Sequence, residues 1–438
     1  MFKKLQDIFA IPELKRRLLF TMGLLVVYRI GGHITTPGVN PLALRAAFES
    51  QQGTIFALYD LFAGGNFSRA TIFALGIMPY ISASIILQLL QAVIPYFEKL
   101  AKEGEEGRKK ITQYTRYGTV ALAAVQSFGI AFYLESLNIG GAAVVPMPGF
   151  FFRILTMVTM VSGTIFVMWL GEQITERGIG NGISLIIMIG IVARYPADML
   201  DTWRALRLGT ISPLRLVILL VIMVAVTASV ILITQGQRRI PVQYAKRIVG
   251  RRVYGGKAQY IPLRVNTAGV IPIIFAQSIM MFPGTLAAFF RDNSVMMGIM
   301  SIFNPSSFIY MSVYAIIIIF FTYFYTAIVL NPVDLAENMQ KYGGFIPGIR
   351  PGKRTSEYID RILTRVTLPG AIFLAFIAIL PDIMIQRGKL PSTVYFGGTS
   401  LLIVVGVVLD TLQQIETHLL MRHYDGFMKK GHLRGRRF

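Results

Sequence analysis

The chain has 438 residues, of which 54% are hydrophobic and only 15% charged, whereas a soluble protein of ordinary composition carries about 25% charged residues. Its mean hydropathy is +0.59, and a bilayer core about 30 Å thick needs about 20 apolar residues per helical crossing, so the composition excludes a soluble globular protein. Cysteine is absent, which excludes disulfides and thiolate metal sites. The histidines His33, His418, His423 and His432 have no metal-binding spacing, and no metal or cofactor is expected.

The net charge of +21 would suggest nucleic acid in a soluble protein, but basic excess on one side of a membrane protein is what orients it. The opening Met1-Phe2-Lys3-Lys4-Leu5 is followed by Asp7, Pro12 and Glu13, without a short apolar core and small-residue cleavage site. No removable signal is read there, and the first spanning segment itself is expected to direct insertion.

The pattern predicts an all-α integral membrane protein with ten transmembrane helices. The apolar stretches run Leu18–Ile34, Ala70–Phe97, Tyr117–Leu134, Ile154–Gly171, Gly182–Ala193, Leu216–Thr234, Val265–Phe290, Phe308–Leu330, Val366–Leu380 and Val394–Leu409. The fifth and ninth are short and must recruit flanking residues. Arg29 is the charge within these stretches, free either to snorkel to the interface or to pair inside the bundle. With the N-terminus in the cytoplasm, about three-quarters of the 43 lysines and arginines fall on that side, so both termini are expected to be cytoplasmic.

Segments two and seven each carry a glycine and a proline inside a long apolar run, as Gly76-Ile77-Met78-Pro79-Tyr80-Ile81 and Gly269-Val270-Ile271-Pro272-Ile273-Ile274. Segments five and ten match as Ser184-Leu185-Ile186-Ile187 and Ser400-Leu401-Leu402-Ile403, each after a glycine-rich turn. Two corresponds to seven as five corresponds to ten. The chain therefore reads as two inverted five-helix halves around a central pore, 18–193 and 194–409, with a cytoplasmic arm (1–17) and tail (410–438). In inverted repeats the functional centre lies where corresponding broken segments meet near the midplane. The pairing makes Ile81 equivalent to Ile274 and Ile187 to Ile403. Any one of these fits an ordinary core or lipid-facing position; as a set they fit an apolar constriction that seals a pore by excluding water.

Other classes fit less well. A secondary transporter shares broken helices and inverted repeats, but ion coupling usually leaves an intramembrane carboxylate or histidine. The ten stretches hold no Asp or Glu, and His33 lies at an outer edge. A hydrolase or nucleotide-driven enzyme would show His-Glu-x-x-His or a Gly-x-x-x-x-Gly-Lys-Ser/Thr loop; neither occurs, and the chain is not expected to be an enzyme.

Several motifs lie in order along these spans. They include Ser68-Arg69-Ala70-Thr71-Ile72-Phe73-Ala74-Leu75-Gly76 running into segment two, and Gly104-Glu105-Glu106-Gly107-Arg108-Lys109-Lys110 with Gln113-Tyr114-Thr115-Arg116-Tyr117. Further on stand Gly171-Glu172-Gln173-Ile174-Thr175-Glu176-Arg177-Gly178-Ile179-Gly180-Asn181-Gly182 and Gly236-Gln237-Arg238-Arg239-Ile240-Pro241. Gly348-Ile349-Arg350-Pro351-Gly352 and Phe396-Gly397-Gly398-Thr399-Ser400-Leu401-Leu402 complete the set. With these motifs the chain resembles the SecY/Sec61-alpha family, in its bacterial form.

The resemblance implies a protein-conducting channel that passes unfolded polypeptide across the bilayer or releases apolar segments sideways into lipid. It implies a re-entrant plug at 59–67, with Leu61, Phe62, the Gly64-Gly65 hinge and Arg69 after it. The family's ring of pore aliphatics maps onto Ile77, Ile81, Ile187, Ile274 and Ile403, with Ile183 nearby. Its lateral gate falls between segments two and seven, where Ser82, Gln126 and Ser278 are candidate polar residues; ordinary interhelical hydrogen bonds, worth about 0.6–2 kcal/mol, account for them equally.

The cytoplasmic loops 235–264 and 331–365 carry Arg238, Arg239, Lys246, Arg247, Arg251 and Arg252, then Arg350, Lys353 and Arg354. Topology alone needs basic charge but not loops of this length with aromatics, prolines and glycines. A docking role is therefore preferred. In the family such loops receive the ribosome and the motor ATPase SecA, with the arginine at Arg350 the most critical. The small subunits SecE and SecG, signal-sequence-bearing polypeptides and membrane lipids are the other partners implied, and the bacterial plasma membrane is the implied location.

Overall fold

The computed structural model describes residues 11–49, 59–60, 62–139, 142–244, 247–249, 252–254, 259–289, 307–388 and 398–430. Among them all ten apolar stretches are helical over at least part of their length. Seven helices, or eight if a bent pair counts as one span, are by themselves long and apolar enough to cross a bilayer. Two compact units divide the chain, the first drawn mainly from the chain up to Met199 and from Val407 onward, the second mainly from Leu200–Pro283 and onward to Gly406.

In the first unit, α1 (Pro12–Gly31) is followed by a short α2 (Pro41–Glu49). The second stretch, expected to be helical from Ala70, becomes helix only at α3 (Met78–Val93). Residues 70–77 form turns instead, because Ala70 and Gly76 both take positive φ, 40° and 55°. Ile94 then leaves the helical region (φ −100°, ψ 118°) before Pro95, which opens α4 (Pro95–Lys102). A residue before proline is pushed out of the α region, and the pair bends by 99°.

Next come α5 (Glu105–Ser136), a minimal hairpin of β1 (Asn138–Ile139) with β2 (Ala142–Ala143), and α6 (Phe150–Arg177). The short fifth stretch forms α7 (Gly182–Val192) and, past Ala193 and Arg194, continues as α8 (Tyr195–Arg207).

The second unit holds α9 (Pro213–Gln235), α10 (Ile271–Phe289), α11 (Phe308–Val329) and α12 (Pro332–Lys341). The ninth stretch recruits its flanks into α13 (Lys353–Gly388), which includes Pro369 and Pro381. The final helix, α14 (Thr399–Lys430), begins in this unit and ends in the first. One apolar cluster joins Val230 of α9, Ile273 and Met280 of α10, Tyr310 and Ile318 of α11, Leu374 and Ile377 of α13, and Leu402 of α14.

Burial is distributed as lipid demands. On α1, Leu19, Met22, Val26 and Ile30 form an exposed apolar face, while Leu14, Thr21, Leu25 and Tyr28 are buried. Along α9 an 18-residue window has hydropathy 3.2 and only 11% burial. Hydroxyls take interior positions. Thr119, Thr164, Thr322 and Thr326 are buried and donate to the carbonyls of Thr115, Met160, Ile318 and Thr322, so each is satisfied within its own helix.

Small residues set the helix contacts, as expected where no hydrophobic gain drives association. A Cβ on Gly163 of α6 would collide with the Ile72 carbonyl oxygen, and one on Gly182 with the Gly171 carbonyl. Gly23 of α1, by contrast, has nothing within 4 Å of its Cβ position. Gly163→Ala should therefore destabilise the purified protein by about 1–3 kcal/mol through overpacking. Gly23→Ala should be neutral or mildly stabilising. Thermal unfolding of both variants in detergent checks the contrast, and equal midpoints would contradict the close packing at Gly163.

Candidate functional site

Four helix starts each follow a glycine at positive φ. Gly76 and Gly269 have φ of 55° and 63°, a region that glycine enters without steric cost. Each stands two residues ahead of a helix, α3 or α10, whose second residue is proline (Pro79, Pro272). Proline is tolerated in a first helical turn because the missing N–H has no partner there anyway. Gly180 and Gly398, at φ of 87° and 67°, likewise precede α7 and α14.

The matched isoleucines then fall near the starts of their helices. Ile81 and Ile274 are each the fourth residue of their helix, and Ile187 and Ile403 lie shortly after the starts of α7 and α14. Ile77, Ile81, Ile187, Ile274 and Ile403 are all buried, and Ile183 is half-buried. Ile77, Ile81, Ile183 and Ile187 belong to the first unit, and Ile274 and Ile403 to the second.

The segment 59–67 is packed within the first unit. Ala63 N–H donates to the Tyr59 carbonyl and Gly65 N–H to that of Asp60, a single helical turn. Phe62 is buried, and Gly64 and Gly65 take φ of 71° and 80°. A Cβ on Gly64 would lie 2.7 Å from Cα of Gly190 on α7, so the two backbones meet directly. Arg29 Nη1 donates to the Gly64 carbonyl at 3.3 Å. Asn66 donates to the Tyr28 hydroxyl at 3.1 Å. Arg69 is exposed, and Leu61 lies outside the described residues.

Ser82 is half-buried on α3. Gln126 Oε1 on α5 and Ser278 Oγ on α10 are buried atoms without a hydrogen-bond partner among the described residues, as is Nε2 of Gln277 beside Ser278. Such groups are costly in a dry interior.

The basic loops fold into one platform in the second unit. Strand β3 (Gln237–Tyr244) pairs antiparallel with β6 (Gln259–Arg264) and with β7 (Gly344–Phe345), which ties the loops 235–264 and 331–365 together. A separate hairpin pairs β4 (Arg247–Val249) with β5 (Arg252–Tyr254). Ile240, Val242, Leu263, Met339, Ile346, Ile359 and Leu363 form the platform's own core. Arg238 and Arg239 are exposed on β3.

Arg350 is exposed on the turn after β7, and exposed Lys353 opens α13. Gly348 and Gly352, at φ of 82° and 100°, frame that turn, and Thr355 Oγ1 donates to the Arg350 carbonyl at 2.9 Å. Lys246 and Arg251 lie outside the described residues; for Arg247 and Arg252 the backbone places are known. Along β3, buried Ile240 and Val242 alternate with exposed neighbours, a pattern that marks a half-buried strand.

Interrupted helices and a lipid-type exterior, with a basic sheet platform beside them, define a multi-pass membrane protein. The sequence model of the SecY family matches residues 71–412. The protein translocase subunit SecY of Escherichia coli K12 is 50% identical over 429 residues, covering 97% of this chain and 96% of that protein. The chain belongs to the SecY family.

Two solved structures share the fold, each covering 92% of both chains. One is of a SecY protein whose plug domain is described as stabilising the closed state and maintaining a membrane seal (TM-score 0.63, 20% identity). The other is Sec61 in a canine ribosome–channel complex from the endoplasmic reticulum (TM-score 0.59, 18% identity).

The platform's core can be tested apart from the membrane helices. Ile359 is fully buried there, and Ile359→Ala should cost it about 2–5 kcal/mol. Limited trypsin digestion should then cut at Arg238, Arg239 or Lys353 faster than in the parent, while the spanning fragments stay intact. Unchanged cleavage rates would show that the two loops do not share this core.

Proposed function

We propose that this SecY-family chain, a protein translocase subunit, conducts unfolded polypeptide through a constriction formed by Ile77, Ile81, Ile183, Ile187, Ile274 and Ile403. The observation that supports the reading is that each of the four helix starts follows a positive-φ glycine and carries one of the repeat-matched isoleucines within its first six residues. An aliphatic ring lets any sequence slide past without hydrogen-bonding to it, and it excludes water when idle. Segment 59–67, with Leu61, Phe62 and the Gly64-Gly65 hinge, acts as the plug, and Arg69 marks its end.

A lateral gate between α3 and α10, flanked by α5 and α11, gives apolar segments access to lipid, and the unsatisfied polar atoms of Gln126 and Ser278 support such a movable seam. The ribosome and SecA dock on the basic platform through Arg238, Arg239, Arg247, Arg251, Arg252, Arg350 and Lys353. Counterion release from polyanionic RNA would contribute to the ribosomal contact. SecE and SecG are companion subunits, the termini are cytoplasmic, and the membrane is the bacterial plasma membrane. The channel performs no chemistry of its own; a partner or the membrane potential supplies the energy.

Replacing Ile81, Ile187, Ile274 or Ile403 with Asn should wet the constriction. Idle ion conductance should rise, and precursors with weak signal sequences should cross more readily. Single-channel recording with a translocation assay checks both, and parental behaviour in all four variants would sink the assignment.

Arg350 is the residue on which motor coupling should depend. Pro351 biases it toward an extended conformation, and a guanidinium offers a planar fork that an ammonium does not. Arg350→Glu should abolish SecA-driven translocation at normal membrane abundance, Arg350→Lys should impair it, and Lys353→Glu should do less harm than Arg350→Glu. Equal mild losses at positions 350 and 353 would reduce the platform to a diffuse basic surface.

A further inference from the structure

The carboxylate of Asp60 stands apart from the motifs that identify the family, yet it is among the most enclosed charges described. The residue is 6% exposed. Its Oδ1 accepts from the Ser68 N–H at 2.8 Å, which closes the loop 60–68 on itself. Its Oδ2 faces Arg194 Nη1 at 3.3 Å. Arg194 sits where α7 passes into α8, one helical turn beyond Gly190. Gly190 and Arg194 thus offer segment 59–67 two contacts, a backbone seat for Gly64 and a cation for Asp60.

We infer that Asp60 and Arg194 form a charge latch that holds segment 59–67 against α7 and sets the ease with which that segment leaves. The inference rests on the reading of 59–67 as the plug for its consequence, but not for the contact itself. Glycine on glycine fixes only position, because neither residue has a side chain to resist sliding. Arg29 adds one hydrogen bond to a carbonyl, which water can replace. The Asp60–Arg194 pair differs in that leaving the seat uncovers a carboxylate and separates it from its cation.

The two partners are unequal. The Arg194 side chain is 36% exposed and that of Asp60 9%. Without Asp60, Arg194 can rehydrate where it stands. Without Arg194, Asp60 keeps no ion pair among the described residues, and a stranded buried charge is far costlier than a missing pair. Relief comes from moving the segment into water. Loss of the arginine should therefore release the segment more than loss of the aspartate, and removing both should undo much of the arginine's effect.

The chain has no cysteine, so a single Ala63→Cys reporter is clean; Ala63 is 0% exposed. In the native complex reconstituted in proteoliposomes, labelling of that thiol by a membrane-impermeant maleimide is measured for the reporter alone and with Asp60→Ala, Arg194→Ala or both. Idle conductance is recorded on the same preparations, with a deletion of Phe62–Asn66 in the cysteine-free chain as the plug control. Labelling should accelerate roughly tenfold in Arg194→Ala and less in Asp60→Ala, and the double variant should fall back toward Asp60→Ala.

Equal rates in all four proteins, or a double variant faster than Arg194→Ala, would overturn the latch. The conductance arm separates the two readings. If the deletion leaves conductance unchanged, the plug reading fails and the labelling order still decides the latch. If the deletion raises conductance but the point variants label as the parent does, the plug stands and the latch falls.

Discussion

The structure depends on one constraint, that every backbone N–H and C=O in hydrocarbon must be satisfied within the protein. Continuous helices meet it by themselves. The chain between Asp60 and Ile77 does not form such a helix, yet many of its described backbone groups are bonded. Thr36 N–H donates to the Ala70 carbonyl and Ile72 N–H to that of Ile34, while Thr71 N–H reaches the Asn66 carbonyl. The irregular backbone is thus stitched to the stretch after α1 and to itself. Non-helical backbone at membrane depth is tolerated only inside protein or along a cavity, so this bonding confines the segment to the interior of its unit. The glycine–glycine approach to α7 and the near-complete burial of Phe62, Ala63 and Phe67 have the same origin.

Outside the bilayer the ordinary rules of soluble proteins return within a few residues. Chain 235–264 leaves α9 as a strand with Ile240 and Val242 buried and Arg238 and Arg239 exposed, while α9 itself turns valines and leucines outward. A single chain therefore carries two opposite hydrophobic patterns. The platform's apolar core gives its arginines fixed positions; a purely topological signal would need charge but no geometry.

Much of this was legible in the sequence, for reasons that differ by element. The spans were readable because hydrocarbon thickness fixes their length and composition. The internal repeat was readable because glycine and proline mark breaks in helices; Gly76 with Pro79 and Gly269 with Pro272 occupy the same places at helix starts. Helix limits were less readable. Ala70–Ile77 is as apolar as α3 itself, and hydropathy does not distinguish a buried turn from a helix. The strands β3 and β6 were hidden by their position between basic residues in a chain otherwise read as helical. Asp60 and Arg194 were invisible as a pair, since they are separated by 134 positions and both lie outside the apolar stretches.

The same free-energy scale that shapes the chain also governs what it transports. At the centre of a bilayer helix, Leu, Ile, Phe or Val contributes about −0.3 to −0.6 kcal/mol, and Asp, Lys or Arg costs about 2.5 to 3.5 kcal/mol. One charge thus offsets roughly five or more leucine-like residues. A channel that opens to lipid can therefore sort segments by equilibrium partition, without recognising any sequence. Such sorting asks two things of the protein: an aliphatic constriction that holds no particular side chain, and a seam whose helices can separate. The positive-φ glycines Gly76 and Gly269, each two residues ahead of a helix start, suit the second demand, because the backbone is not helical there and a rotation at those points breaks few further hydrogen bonds. In the gate proposed above, the non-helical backbone ahead of α3 and α10 would weaken a static bundle and would be what lets that seam open.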